Sequence, residues 1–201
     1  MRIGTLTIGL FVVLGFAGFA GAESVPEQAL TGKLDGSPHD MRTRLGITQV
    51  CVPCHAPHNA KNPLDGPIWN HALTTQTFTR TSWETGASAA VTLGKASKLC
   101  MGCHDGVTAV GSYGNFTGSG SGGALSGGAA LGNDLTGSHP VGVEYTGGGV
   151  LESATTVASY LVDGTVECTS CHRAHSWGEP DHKFLRVTIG GSQLCRVCHT
   201  F

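Results

Sequence analysis

The stretch Cys51-Val52-Pro53-Cys54-His55-Ala56-Pro57-His58 carries a core, Cys-x-x-Cys-His, that recurs three more times. The other copies are Cys100-Met101-Gly102-Cys103-His104, Cys168-Thr169-Ser170-Cys171-His172 and Cys195-Arg196-Val197-Cys198-His199. Together they use all 8 cysteines of the 201-residue chain. Two cysteines three apart lie on one side of a helical turn. Their sulfurs can bond the two vinyl groups on one edge of a haem, and the next histidine can bring a ring nitrogen to the iron. Cys-x-x-Cys-His is accordingly the attachment pattern of c-type haem. Zinc ribbons also use paired cysteines, but nothing in them requires histidine after every second one. With only 10 histidines in the chain, four such placements by chance are not expected. The reading is four covalently bound c-type haems, with His55, His104, His172 and His199 as proximal iron ligands.

Outward from these motifs, the N-terminus runs from Met1-Arg2 into an apolar block, Ile3 to Phe19, ending in Ala20-Gly21-Ala22. A short apolar block with a small-residue end reads as a secretory signal peptide over residues 1–22. It is short for a spanning helix and no basic stop-transfer cluster follows. The expectation is a secreted protein, periplasmic or extracellular, with no permanent membrane span after cleavage. Disulfides would be permitted there, but thioethers are expected to claim the cysteines. The formal charge is −2, and no basic stripe suggests nucleic acid. Glycine is abundant at 31 residues and aromatics are few. The apolar side chains look thin for one domain over 23–201, so haems are expected to form most of the core. The expected fold is a multihaem cytochrome c with little regular secondary structure. Short α-helices are expected at the CxxCH motifs, with a few short β-strands elsewhere, and the unloaded chain is expected to be largely unfolded.

A repeat is visible. Each half holds one CxxCHxxH followed by one S-x-L-C-x-x-C-H, in A-B-A-B order. In the first half 45 residues separate Cys54 from Cys100, and in the second 23 separate Cys171 from Cys195. This suggests duplicated haem pairs with diverged loops. The halves, about 23–110 and 138–201, are joined by the Gly/Ser-rich stretch 111–137, which reads as a flexible surface excursion.

Four six-coordinate irons need four distal ligands. Beyond the proximal set the chain offers His39, His58, His71, His139, His175 and His182. Methionine, the other usual ligand, is scarce: after signal removal only Met41 and Met101 remain, and Met101 sits inside a motif. Supply therefore favours two histidines per iron. His58 and His175 each lie three residues beyond a proximal histidine; on a short helix such rings diverge, so neither readily binds its own motif's iron. The candidate order is His58, His175 and His139, then His39, then His71, with His182, in a polar turn, last. An iron held by two histidines has no open position for substrate, which points to an electron-transfer protein rather than an enzyme. The competing readings are a multihaem redox enzyme with one open-coordinate haem, and a zinc or disulfide scaffold. Arg173, Arg186 and Arg196 are candidates for pairing haem propionates, or plain surface charges.

The segments SPHD, CVPCHAPHNA, PIWNH, SKLCMGCHDG, SHPVG, ECTSCHRAH and SQLCRVCH resemble the doubled-CxxCH multihaem cytochromes, within the broad class III group. The set is similar to tetrahaem extracellular cytochromes that polymerise into electron-conducting filaments. That resemblance implies covalent haems with two histidine ligands, stacked in a line, and redox proteins as partners. It also makes His58 the candidate for a ligand bridging to the next subunit of a filament.

Overall fold

The structure is a computed structural model that describes residues 34–62, 65–66, 68–82, 85–114, 122–178 and 184–201. The signal-peptide segment 1–22 and His182 lie outside the described residues. Regular structure is sparse. Four helices are described: α1 Arg42–Leu45, α2 Lys95–His104, α3 Cys168–Cys171 and α4 Gln193–Arg196. The strands β1 Phe78–Thr81 and β2 Ser88–Val91 form an antiparallel hairpin, and β3 Val143–Glu144 pairs antiparallel with β4 Thr165–Val166. Short 3₁₀ turns fill in at Gly127–Ala129, Ala158–Tyr160 and Gly190–Ser192.

Three of the four motifs sit on helices, as their spacing predicts. α2 contains the whole second copy, α3 spans the cysteines of the third and α4 enters the fourth. The first copy makes a single turn, closed by the His55 N–H donating to the Cys51 carbonyl at 2.8 Å. The proline at position 53 is consistent with this brevity, because it lacks an N–H donor. In the third copy the backbone leaves the helix at His172 in an extended conformation (φ −111°, ψ 147°).

Two small apolar clusters back the motifs. Phe78, Leu93, Met101 and Leu135 form one, with Val91 and Val141 against it. Tyr145, Val157 and Val166 form the other, joined by Val143, Leu151, Leu161 and Val197. One cluster thus supports the second motif through Met101, and the other supports the fourth through Val197.

The Gly-rich stretch lies largely on the surface, as its composition predicts, but it is anchored rather than loose. From residue 122 to 137 the chain packs onto the first half. Leu135 is 3 % exposed within the first cluster. The Leu131 N–H donates to the His104 carbonyl at 2.8 Å, and Arg44 donates to the carbonyls of Gly122 and Ala124. Glycine content suggested flexibility, but burial of Leu135 and these hydrogen bonds tie the stretch down, while Leu131 stays exposed.

Candidate haem-attachment site

Each attachment motif is cradled by a distant segment. Around the first copy, the Asn70 side chain donates to the Val52 carbonyl at 2.8 Å, its N–H donates to the Cys54 carbonyl at 2.9 Å, and Trp69 bridges His55. Around the third, the Arg186 N–H donates to the Cys171 carbonyl, and its guanidinium donates to the carbonyls of Thr169 and Ser159 while lying 4.3 Å from the Tyr160 ring centre. Around the fourth, the Tyr145 hydroxyl reaches the carbonyls of Glu152 and Cys198, both at 3.0 Å. Arg196 stands over Phe201.

The second copy shows why its variable positions are what they are. Met101 is 1 % exposed and belongs to the first cluster. A Cβ on Gly102 would collide with the Ala72 carbonyl oxygen, so the backbone approach there requires glycine. Asp105 follows the motif fully buried. Burial alone would raise its carboxyl, but donors from Thr108, Val107 and Thr74 hold it below its ordinary value.

None of the eight cysteines is paired in a disulfide. Among the described residues, no three or more His, Cys, Asp or Glu side chains converge as a tetrahedral metal site requires. The donors are instead spread in pairs along apolar walls. A cavity of about 580 Å³ holds Cys100 and His104 of the second motif together with Cys168, Cys171 and His172 of the third. His39 and His139 also face it, beside Leu93, Leu135, Val166 and Phe184. A large, mostly apolar cavity carrying thiols in CxxC pairs and several imidazoles suits a flat, apolar, iron-bearing macrocycle far better than a bare cation.

The histidines outside the motifs divide sharply. Three of them stand beside motif histidines. The His175 ring lies 6.0 Å from that of His55, centre to centre, with 31° between planes. His39 lies 6.1 Å from His104 at 67°, and His139 lies 6.3 Å from His199 at 79°. His39 is further held by stacking on Phe184 at 4.4 Å. Burial, and then the neighbouring His104, lower the pKa of His39; burial and His55 do the same to His175. Both are thereby biased to the neutral imidazole that metals bind.

His71 and His58 behave differently. His71 is 1 % exposed, and its Nδ1 and Nε2 lie 2.9 Å and 3.2 Å from the carbonyl oxygens of Ala72 and Val110. A neutral ring carries one N–H and so can donate to only one of these carbonyls, and Cys103 Sγ also lies 3.5 Å from Nε2. His58 is exposed and has no ring neighbour or hydrogen-bond partner among the described residues. The remaining motif histidine, His172 of the third copy, lines the cavity.

Sequence reasoning missed two features of the site. The Ala129 carbonyl, in the Gly-rich stretch, lies 2.7 Å from His104 Nδ1, where it can accept the ring proton. An acceptor of this kind fixes which nitrogen is left for a metal. Leu125, Leu131 and Leu135, spaced through the glycines, were the available signal. The second missed feature is Glu167, a buried acid directly before the third motif, whose neighbours gave no sequence cue.

Residues 162–201 match the family model described as the doubled CXXCH motif, a span that contains the third and fourth copies. No curated protein matches the chain. The matched segment points to a multihaem c-type cytochrome. No helix among the described residues is long and apolar enough to cross a membrane.

Proposed function

We propose that this chain is an exported tetrahaem c-type cytochrome that carries electrons through its haems, at least three of them held by two histidines each. Cys51 and Cys54, Cys100 and Cys103, Cys168 and Cys171, and Cys195 and Cys198 supply the thioether sulfurs. His55, His104, His172 and His199 take the proximal positions. His175, His39 and His139 take the distal positions opposite His55, His104 and His199. Haem bound in these sites would supply one-electron chemistry at iron. The chain's own residues attach it, orient it, exclude water and set its electrostatics.

The observation that carries this reading is the ring spacing in the three pairs, 6.0 to 6.3 Å. An iron–nitrogen bond of about 2 Å, with about 1 Å from nitrogen to ring centre, puts two imidazoles sharing one iron about 6 Å apart. Each pair joins a motif histidine to a non-motif histidine. With both axial positions filled, no site is left for substrate, which disfavours the redox-enzyme alternative at those three irons. His71, buried between the Ala72 and Val110 carbonyls, is assigned to the fold instead. His58, exposed beside the first motif, is the candidate for a ligand given to a neighbouring subunit in a filament. The test is the intact mass of the secreted protein under denaturing conditions. A mass excess of four haems over the signal-cleaved chain is expected; an excess of fewer, or none, contradicts the tetrahaem reading.

A further inference from the structure

Glu167 is 1 % exposed, and its charge-bearing end is directed into protein rather than water. One carboxylate oxygen accepts the Gly94 N–H at 3.0 Å and the other accepts the Ser97 hydroxyl. Ser97, itself 0 % exposed, accepts the Cys168 N–H on the same hydroxyl at 2.9 Å. The Glu167 N–H donates to Ser170 Oγ at 2.9 Å, closing a capping box at the start of α3. A buried polar network with every donor placed specifies one arrangement of the elements it joins.

The elements joined are α2, carrying the second attachment motif, and α3, carrying the third. Gly94 and Ser97 lie 73 and 70 residues from Glu167, so the contact ties one half of the chain to the other. A Cβ on Gly94 would collide with the Glu167 carboxylate, so the close approach depends on glycine there. Beside this contact, Cys100 of the second motif and Cys168 of the third both line one cavity. The attachment edges of the second and third sites therefore open into shared space.

We propose that Glu167 is a positioning residue that sets how the second and third attachment segments face each other, and with it the electronic coupling of the haems they hold. This rests on the four-haem reading above. Transfer between redox centres depends steeply on edge separation and mutual orientation, and a site loosened by a fraction of an ångström loses function. The Glu167–Ser97 contact is the buried polar tie at the point where the halves meet. It provides the step between halves with a fixed geometry.

The test uses the haem-loaded full chain and three variants, Glu167→Ala, Glu167→Gln and Ser97→Ala. Haem number is read by intact mass, and coupling by the exciton couplet in Soret circular dichroism, recorded well below each Tm. Wild-type protein without four haems would sink the four-haem reading itself, independently of Glu167. With four haems present, Glu167→Ala and Ser97→Ala are expected to reduce the couplet by about twofold or more. Glu167→Gln, whose amide oxygen can still accept the Gly94 N–H and whose NH₂ can reach Ser97, is expected to restore it. A lowered Tm with an unchanged couplet in Glu167→Ala overturns the proposal, because that is what a purely stabilising contact would give. Loss of haems from both alanine variants but not from Glu167→Gln also overturns it, since the role would then lie in folding. Equal loss of the couplet in Glu167→Gln and Glu167→Ala overturns the hydrogen-bonding basis.

Discussion

The His175 imidazole lies 6.0 Å from that of His55, so a histidine of the second half meets the attachment motif of the first. The two other pairs stay within their halves: His39 with His104, and His139 with His199. The two kinds of pair follow the repeat. Each S-x-L-C-x-x-C-H copy meets a histidine from a Ser- and Pro-containing segment upstream in its own half, whereas the first CxxCHxxH copy is met by the last histidine of the other one. On the proposed ligation, folding the halves together is part of completing the first site.

Replacing His175 by alanine is expected to leave four haems attached and convert one of them to the high-spin ferric form, seen as its charge-transfer absorption. Replacing it by methionine should keep that iron six-coordinate and raise one of the four potentials, because thioether ligation favours the reduced state relative to imidazole. An entirely low-spin His175→Ala protein would show that another residue is the ligand.

The close approach at Gly102 predicts a steric penalty at a variable motif position. Gly102→Ala pushes a methyl group against the Ala72 carbonyl, which cannot move without disturbing His71. Overpacking of this kind costs about 1–3 kcal/mol. Thermal unfolding of the haem-loaded variant should show a Tm several degrees lower. An unchanged Tm would mean the backbone at Ala72 yields freely.

Leu135 tests whether the Gly-rich stretch is part of the core. It is buried with Phe78, Leu93 and Met101. Leu135→Ala should cost about 2–5 kcal/mol, the range for a buried leucine. A change within a few tenths of a kcal/mol in denaturant unfolding would return the stretch to the status of a loose surface loop.

The thiols are predicted to differ in reactivity before haem attachment. Hydrogen bonds from Cys100 and Ser97 pull Cys168 down to about 7 against its burial, whereas burial pushes Cys54 up to about 11 and Cys103 up to about 12. The thiolate is the reactive form, and it dominates only above the group's pKa. At pH 8 Cys168 should therefore be alkylated well ahead of Cys54 and Cys103, which should accelerate only as the pH approaches their raised values. Uniform labelling of all eight would show that the unloaded chain does not hold this packing.

His58→Ala is expected to leave secretion and haem loading intact and to abolish filaments in electron micrographs of the secreted protein. Filaments that persist with unchanged spectra would remove His58 from any bridging role.

The attachment chemistry was legible in the sequence because its information is local: five residues state where two thioethers and one imidazole go. The scarcity of regular structure was legible for a similar reason, from glycine and the shortage of apolar residues. The partners of the motif histidines were only partly so. His39, His139 and His175 could be named as candidates, but which ring each would meet depends on contacts between segments 60 to 120 residues apart, as His175 reaching His55 illustrates. His71 looked like the other candidates in sequence; only the two carbonyls facing its nitrogens distinguish it. Glu167 gave no local cue, because its donors at Gly94 and Ser97 come from the other half.

Electron paramagnetic resonance of the oxidised, haem-loaded protein tests the paired-histidine reading most directly. Low-spin ferric signals of the two-imidazole type from the sites of His55, His104 and His199 are expected, leaving at most the His172 site open to any other state. High-spin ferric iron amounting to two or more of the four haems would contradict the ligation read from the three ring pairs.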